Sequence, residues 1–551
     1  MSIESAIASV TPNTAADTTF SLDHRIELCH RCIEAVTEVA EEWSAVSAAA
    51  KQCQGRNDVL AEEMLAGPVV VARFLHLAAK TLEQISVQGK PSLPGRIRTD
   101  KDQRVVVPIF PTNYLWDRIT FLGLSATVVM QEGVEASGIH GKLLDAAKGK
   151  SSSRVSAILG AGNVSSVPAT DSLHRILFDR SRVILKMNPV NEYLKPIFER
   201  AFEPMISSGM LSIIHGDGSV GHELIHHPKV TDVHITGSIQ SHDAIVWGNS
   251  PEERHQRRTE GRPFLDKPIT SELGNVSPWI VVPGEYTAKQ MHSQAQHIAS
   301  SITNNAAYNC LSTRVVITWP QWRQRDTFLG LIRKYLENTP RRPAYYPGSL
   351  ERFRRATGLN TDLDENNSLP WTFLTNQRID EHPHLFCEES FVGVCAEIAV
   401  EGADPEDFLE AAVEFVNDRL AGTLCASVTL PDLFASRNSE LLRRILLEMR
   451  YGSVCINQWS ALAYSLLTPP WGGYSGATLA NAESGIGSVH NTFLLDQYDK
   501  AILKGPLVNF PKPVWFSTHG NALSTARRLV SLYQRPVATR LPALFASALL
   551  G

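Results

Sequence analysis

Residues 154–186 read RVSAILGAGNVSSVPATDSLHRILFDRSRVILK, and this stretch decides the fold. It opens on a short apolar run, residues 154–159, which stops at Gly160-Ala161-Gly162. It ends on a second run, residues 182–186. Short aliphatic runs bounded by glycine read as buried strands. The rhythm continues downstream. Residues 210–214 and 233–236 read as strands, the latter ending at Gly237, while 191–207 is helical and Gly221 opens a helix to residue 227. Strands that alternate with helices imply a parallel sheet, because parallel neighbours need a crossover between them. Such sheets bind ligands beyond the carboxyl ends of their strands. The loops after residues 159, 186, 214 and 236 are therefore the places to look for a site.

Further along, a helix over 286–302, a strand over 314–318 and a helix over 321–336 predict a second α/β region. Upstream, Asp23 is positioned to cap a long amphipathic helix reaching about residue 51. A helical region follows over 59–88, with Gly67-Pro68 as its expected break, and RVVVP at 104–108 reads as a strand. The charged stretch 249–263, NSPEERHQRRTEGRP, reads as a surface excursion. Residues 1–22, rich in Ser, Thr and Ala, are expected to be disordered.

The 551 residues exceed one simple domain, and 43% hydrophobic with 20% charged residues suits a globular enzyme with large cores. A net charge of -5 gives no reason to expect nucleic acid as a partner. The N-terminus lacks a basic segment followed by an apolar one, and the apolar runs 119–130 and 541–550 fall short of the roughly 18–20 residues of a membrane span. A cytoplasmic enzyme without a membrane span is expected. The 8 cysteines are scattered, which is no disulfide framework. Cys29-His30-Arg31-Cys32 is a lone CxxC without a second ligand pair, so no metal site is expected, and Cys29 falls on the apolar face of its helix.

Gly216-Asp217-Gly218-Ser219-Val220-Gly221 matches GxGxxG between a strand and a helix. The acidic residue that completes a dinucleotide fingerprint is absent, since the next strand ends in Thr236-Gly237-Ser238. Four other segments follow in order. They are Ser271-Glu272-Leu273-Gly274-Asn275, then Asn304 through Cys310 (NNAAYNC), then Cys387 through Gly393 (CEESFVG), then Pro469 through Gly476 (PPWGGYSG).

Taken together, these segments resemble the aldehyde dehydrogenase superfamily. There, E-L-G-G carries a glutamate base, N-x-G-Q-x-C the nucleophile, E-x-F-G-P-V a cofactor contact and P-F-G-G-x-K-x-S-G a closing loop. Asn163 and Lys186 keep the family's separation between a loop asparagine and a cofactor-binding lysine, and VGHELIHHPKVTDVHITGS at 220–238 matches its helix–strand–TGS segment. The resemblance spans about residues 155–495.

It implies a Rossmann-like cofactor domain plus an α/β catalytic domain. N-terminal helices and the cofactor domain would occupy 23–273, the catalytic domain 274–465, and the closing loop, an oligomerisation segment and an extension 466–551. It also implies oxidation of an aldehyde with NAD or NADP, and a homodimer or homotetramer.

Cys310 would attack the aldehyde carbon and become a thioester once hydride leaves. The Asn163 amide and the Cys310 N–H would hold the oxyanion. Glu272 would activate water and help deprotonate Cys310. Leu159, Gly160, Gly162 and Lys186 would face the adenosine half of the cofactor, with Gly218 and Gly221 nearby. Gly237 and Ser238 would meet the pyrophosphate. Glu389, with Glu388 one position away, would hold the nicotinamide ribose, and Phe391 would pack beside it.

Departures narrow the expectation. Lys186-Met187-Asn188-Pro189 replaces K-P-x-E, so the glutamate that selects for a free ribose hydroxyl is missing and NADP use is permitted. Gly162 stands where Trp is usual, Trp471 replaces Phe, and the stretch between Gly237 and Glu272 is longer than the family's. The Gly-Asn-Val loop at 162–164 also resembles that of fatty acyl reductases of the same superfamily, which makes a CoA-linked acylating reaction an alternative. A non-catalytic scaffold on the same fold is a second one.

Overall fold

The structure, a computed structural model, describes residues 2–11, 19–149 and 152–551. Two sheets organise it. The smaller has five parallel strands in the spatial order Leu211–Ile214, Arg182–Lys186, Val155–Leu159, Asp232–Thr236, Ile269–Glu272. Chain order reverses between Val155–Leu159 and Asp232–Thr236. A crevice opens at such a switch point outside the strand ends, and here those ends carry Gly160 and Gly237.

The larger sheet has ten strands. Its parallel part runs Tyr498–Lys504, Ser453–Ile456, Cys425–Thr429, Ser277–Val281, Thr313–Thr318, Val394–Ala399, Thr372–Leu374. Ser125–Met130, Val105–Phe110 and Arg98–Thr99 extend it antiparallel from Tyr498–Lys504. Two findings differ from the expected division. The strand over 104–108 belongs to this sheet and not to the smaller one. Residues 498–504, in the stretch assigned to oligomerisation and extension, form an interior strand of the chain's own sheet. The α/β class itself holds.

Several local expectations are corrected. Residues 3–10 are not disordered: Ile3–Val10 is a helix capped by Ser2, with Ile3, Ala6, Ile7 and Val10 buried against the smaller sheet. Residues 12–18 lie outside the described residues. Ser21, not Asp23, caps the next helix, accepting from the His24 N–H. That helix is not continuous to residue 51, because it breaks at Val39 into Leu22–Glu38 and Ala40–Ala50. Residues 191–207 form three short pieces rather than one helix. The excursion at 249–263 contains a helix, Pro251–Glu260, with no buried residue.

Gly67-Pro68 does not break its helix. A π-turn, Leu65–Val69, joins Asn57–Met64 to Val70–Gln88. The wider turn accommodates a proline that lacks an N–H. Gly67 is required by packing, since a Cβ there would lie 2.7 Å from Ser165 Oγ and 3.0 Å from Trp43 Nε1. By length and composition Asn57–Gln88 could cross a membrane, but 78% of its most apolar window is buried inside this fold. Cys29 and Cys32 are fully buried in the core on Leu22–Glu38.

Candidate active site

Cys310 lies at the boundary between the two sheets. It follows a turn of left-handed residues and precedes the strand Thr313–Thr318. Asn305, Ala306 and Ala307 have φ of 51°, 54° and 67°. Left-handed backbone is costly for residues with a Cβ and persists only where surroundings over-determine it. Here they do. The Asn305 N–H donates to Glu62 at 2.9 Å, and its side-chain amide donates to the carbonyls of Tyr308 and Asn163 at 2.8 and 3.0 Å. Asn305 Oδ1 accepts from Lys51 at 2.8 Å and from the Tyr345 hydroxyl at 3.1 Å. Arg314 donates to the Ala307 carbonyl at 2.6 Å.

Lys51 is therefore a clamp. It is 3% exposed, paired with Glu63 at 2% exposed, and its ammonium also reaches the Asn163 carbonyl at 3.4 Å. One buried cation ties the Asn163 loop to the turn before Cys310. Lys51→Met leaves the Glu63 carboxylate buried without its partner, a change that costs about 3–5 kcal/mol. We expect a loss of that order in thermal or denaturant unfolding, with the double variant Lys51→Met/Glu63→Leu recovering most of it. Recovery of stability without recovery of turnover would separate positioning of the turn from folding.

Glu272 ends the last strand of the smaller sheet, and its Oε1 accepts from the Cys310 thiol at 3.8 Å. Residues 484–486 fix that strand. Ser271 N–H donates to the Ile486 carbonyl and Leu273 N–H to the Ser484 carbonyl, each at 2.9 Å. This approach requires Gly485, with φ 117°, because a Cβ would lie 2.0 Å from the Ser271 carbonyl oxygen. Burial, with Asp171 nearby, pushes Glu272 up to about 8. Burial and the neighbouring carboxylates Glu272 and Glu389 push the Cys310 thiol well above its ordinary value. Both shifts favour the neutral forms of the pair, a thiol facing a carboxylic acid.

Asn163 faces the same cavity as Cys310 and Glu272. Its amide donates to the Tyr308 carbonyl at 3.1 Å, which leaves its other amide hydrogen free to turn toward a substrate oxygen. The cavity encloses about 600 Å³.

The remaining sequence-derived positions fall into two groups. Leu159, Gly160, Gly162, Gly237 and Ser238 gather at the carboxyl ends of the central strand Val155–Leu159 and its neighbour Asp232–Thr236, with Lys186 at the end of the other neighbour. Gly160 N–H donates to the Lys186 carbonyl at 3.1 Å. Burial lowers the Lys186 pKa from its ordinary value. Ser238 caps the helix Ile239–Trp247. Gly218 and Gly221 lie in the first turns of Gly218–His226. A Cβ at Gly221 would touch Leu159 at 3.6 Å, and one at Gly218 would meet nothing within 4 Å.

Glu389 and Phe391 form the second group, beside Cys310. The Glu389 carboxylate sits where a Cβ on Gly274 would be, 2.4 Å away, and burial pushes it up to about 7. Glu388 instead is exposed and paired with Arg355 at 2.6 Å. Phe391 packs on Tyr308 and Tyr346, with ring centroids 5.9 and 5.1 Å away. Sequence reasoning missed Lys51, Glu62, Glu63 and Asn305. The only signal for them was the density of Asn before Cys310.

No protein-family model matches the sequence, and no curated protein does. Solved structures do. An NAD-dependent aldehyde dehydrogenase from Sinorhizobium meliloti superimposes with a TM-score of 0.59 at 16% identity, over 91% of this chain and 86% of that one. The aldehyde dehydrogenase KauB from Pseudomonas aeruginosa gives 0.58 at 17%, over 91% and 88%. An NADP-dependent glyceraldehyde-3-phosphate dehydrogenase from Bacillus halodurans C-125, complexed with NADP, gives 0.57 at 16%, over 91% of each chain. The chain therefore has the fold that these dehydrogenases share.

Proposed function

We propose that this chain, built on the fold of the aldehyde dehydrogenases, oxidises an aldehyde to a carboxylic acid with NAD or NADP through a thioester on Cys310. The observation that carries the reading is the meeting of Cys310, Glu272 and Asn163 on one cavity, with the thiol 3.8 Å from the carboxyl. Cys310 is the nucleophile, and its sulfur bonds to the aldehyde carbon. The thiol proton is released to bulk water as that bond forms. Asn163 and the Cys310 N–H bind the oxygen that becomes negative on attack. After oxidation at that carbon, Glu272 takes a proton from water, which adds to the thioester and returns Cys310 as the leaving thiol.

The residues present fit a nicotinamide dinucleotide. The Glu389 Oε1 and Glu272 Oε2 atoms are buried without a hydrogen-bond partner on the flank of the nucleophile. The capped N-terminus of Ile239–Trp247 suits a pyrophosphate. Space is open at Gly218. Lys186 and Ser238 would hold the adenosine side and Glu389 the nicotinamide ribose. Bound there, NAD(P)⁺ supplies the hydride acceptor.

Asn188 and Pro189 carry no acid against a ribose phosphate, and Asn188 is engaged locally, accepting from the Val190 N–H at 3.0 Å. Asp217 is the nearby carboxylate that acts on Lys186, alongside Glu192. We expect both cofactors to work, with kcat/KM for NAD⁺ and NADP⁺ within about a thousandfold, roughly 4 kcal/mol. Asp217→Asn should move the ratio toward NADP⁺. A preference for NAD⁺ beyond a thousandfold would show that other residues read the ribose.

A further inference from the structure

The cavity that ends at Cys310 is far larger than the chemistry needs. At about 600 Å³ it lies within the roughly 300–1,000 Å³ that enclose drug-sized ligands. Attack on a carbonyl needs only the corner formed by Cys310, Glu272 and Asn163. The rest is shaped by side chains with no part in that step. Val70 of the long helix and Leu462 form its sides. Its roof comes from the C-terminal segment, through Trp515, Leu529, Leu544 and Phe545.

That roof is tied down. Trp515 packs on Trp459 with centroids 5.0 Å apart, and Trp459 Nε1 donates to the carbonyl of Leu311, the residue after the nucleophile, at 2.6 Å. The two roofing helices, Ala522–Gln534 and Leu541–Leu549, are joined by a Thr525–Ser547 hydroxyl bond of 2.8 Å. Where the cavity meets solvent, Leu122 and Phe510 stand 40% and 66% exposed. An apolar mouth leads into an apolar chamber.

Most of the charge on the wall is spent within the protein. Lys51 pairs with Glu63, Arg56 with Asp58, Arg73 with Asp117 and Arg342 with Glu62. Lys512 is turned to the Thr518 carbonyl. Among the described residues, Lys51 and every arginine on the wall are paired with a carboxylate, which leaves Lys512, bonded only to a carbonyl, as the one cation there without an acidic partner.

We propose that the substrate is an uncharged aldehyde with an extended hydrocarbon chain, its carbonyl at Cys310 and its tail under the C-terminal helices. This rests on the dehydrogenase reading for the carbonyl and on the cavity alone for the tail. Each methylene moved from water into such a chamber strengthens binding about fourfold, equivalent to about 0.8 kcal/mol.

The test separates the two foundations. Calorimetric titration of the wild-type enzyme, without cofactor, with butanol, hexanol, octanol and decanol measures the tail site without turnover. We expect affinity to rise about fourfold per methylene, and kcat/KM for the matching aldehydes to rise in parallel. Ala548→Trp and Ala522→Trp, both on the cavity wall, should each weaken decanol at least tenfold with the circular dichroism spectrum preserved. Decanol binding no tighter than butanol overturns the proposal, even if short aldehydes are oxidised well. Decanol binding that neither tryptophan disturbs, in variants that keep the wild-type spectrum, overturns the placement under the roof. A clear slope among the alkanols with no aldehyde oxidised supports the hydrocarbon site and rejects the dehydrogenase reading.

Discussion

Cys310→Ala is expected to lower aldehyde-dependent formation of NAD(P)H by at least about 10⁴-fold, the scale on which loss of a covalent nucleophile is felt. The thiol is the only group in the cavity corner that can bond to the carbonyl carbon and later leave. Asn163 is an amide and Glu272 serves as the base for water, so neither replaces it. Cofactor affinity should persist, because the substitution removes none of the groups proposed to hold the cofactor. Unfolding stability should change little, since Cys310 is only half-buried and the turn before it is held by Lys51, Glu62 and Arg314. The informative control is Cys425, another thiol that acts electrostatically on Cys310. It is fully buried, within sulfur hydrogen-bond range of Asn275 and Ser277, and burial pushes it up to about 12. Cys425→Ala should keep most of the turnover. Near-normal rates in Cys310→Ala would remove Cys310 from the mechanism.

Glu272→Gln is expected to spare acylation and cripple release. A positioned base contributes about 10² to 10⁴ in rate. The variant should therefore give a burst of NAD(P)H close to one per site, then a steady state lower by that factor. A burst that is itself slowed would mean that Glu272 also deprotonates Cys310. The pH profile adds a second handle. A base pushed up to about 8 is mostly protonated at neutral pH, so wild-type turnover should climb as pH rises through that value, and Glu272→Gln should lose the climb. Stability has the opposite sign. A carboxyl whose folded value is raised stabilises the fold fully below its ordinary value of 4.5. That contribution is lost as pH rises toward about 8, and the glutamine variant should lack this loss. Without CoA, wild type should yield free acid. Turnover only with CoA, giving an acyl-CoA, would favour the acylating alternative.

Much of the smaller sheet was legible because its strands are apolar runs closed by glycine, as at Gly160 and Gly237. Pattern reading works where burial on both faces leaves no polar alternation. Its failures are tertiary. Ile3–Val10 looks disordered in composition, yet four apolar residues at helical spacing dock it on a sheet edge. Gly67-Pro68 looks like a stop, yet a π-turn and close packing on Trp43 carry the helix through. The strand Tyr498–Lys504 is readable only once its neighbours, Ser125–Met130 and Ser453–Ile456, are known. At the site, the cysteine, glutamate and asparagine announce themselves by residue type and order. The Lys51 clamp does not, because it joins residues distant in sequence, and neither does the roof, whose residues are ordinary core formers.

The account stands or falls on whether Cys310 carries the acyl group. Mixing Glu272→Gln with an aldehyde and NAD⁺, quenching in acid during the burst and weighing the proteolytic peptides tests this directly. The predicted result is a mass gain on the peptide containing Cys310 equal to the aldehyde less two hydrogens, in step with the NADH released. NADH formed while that peptide stays unmodified, or the same gain on the Cys425 peptide instead, would contradict it.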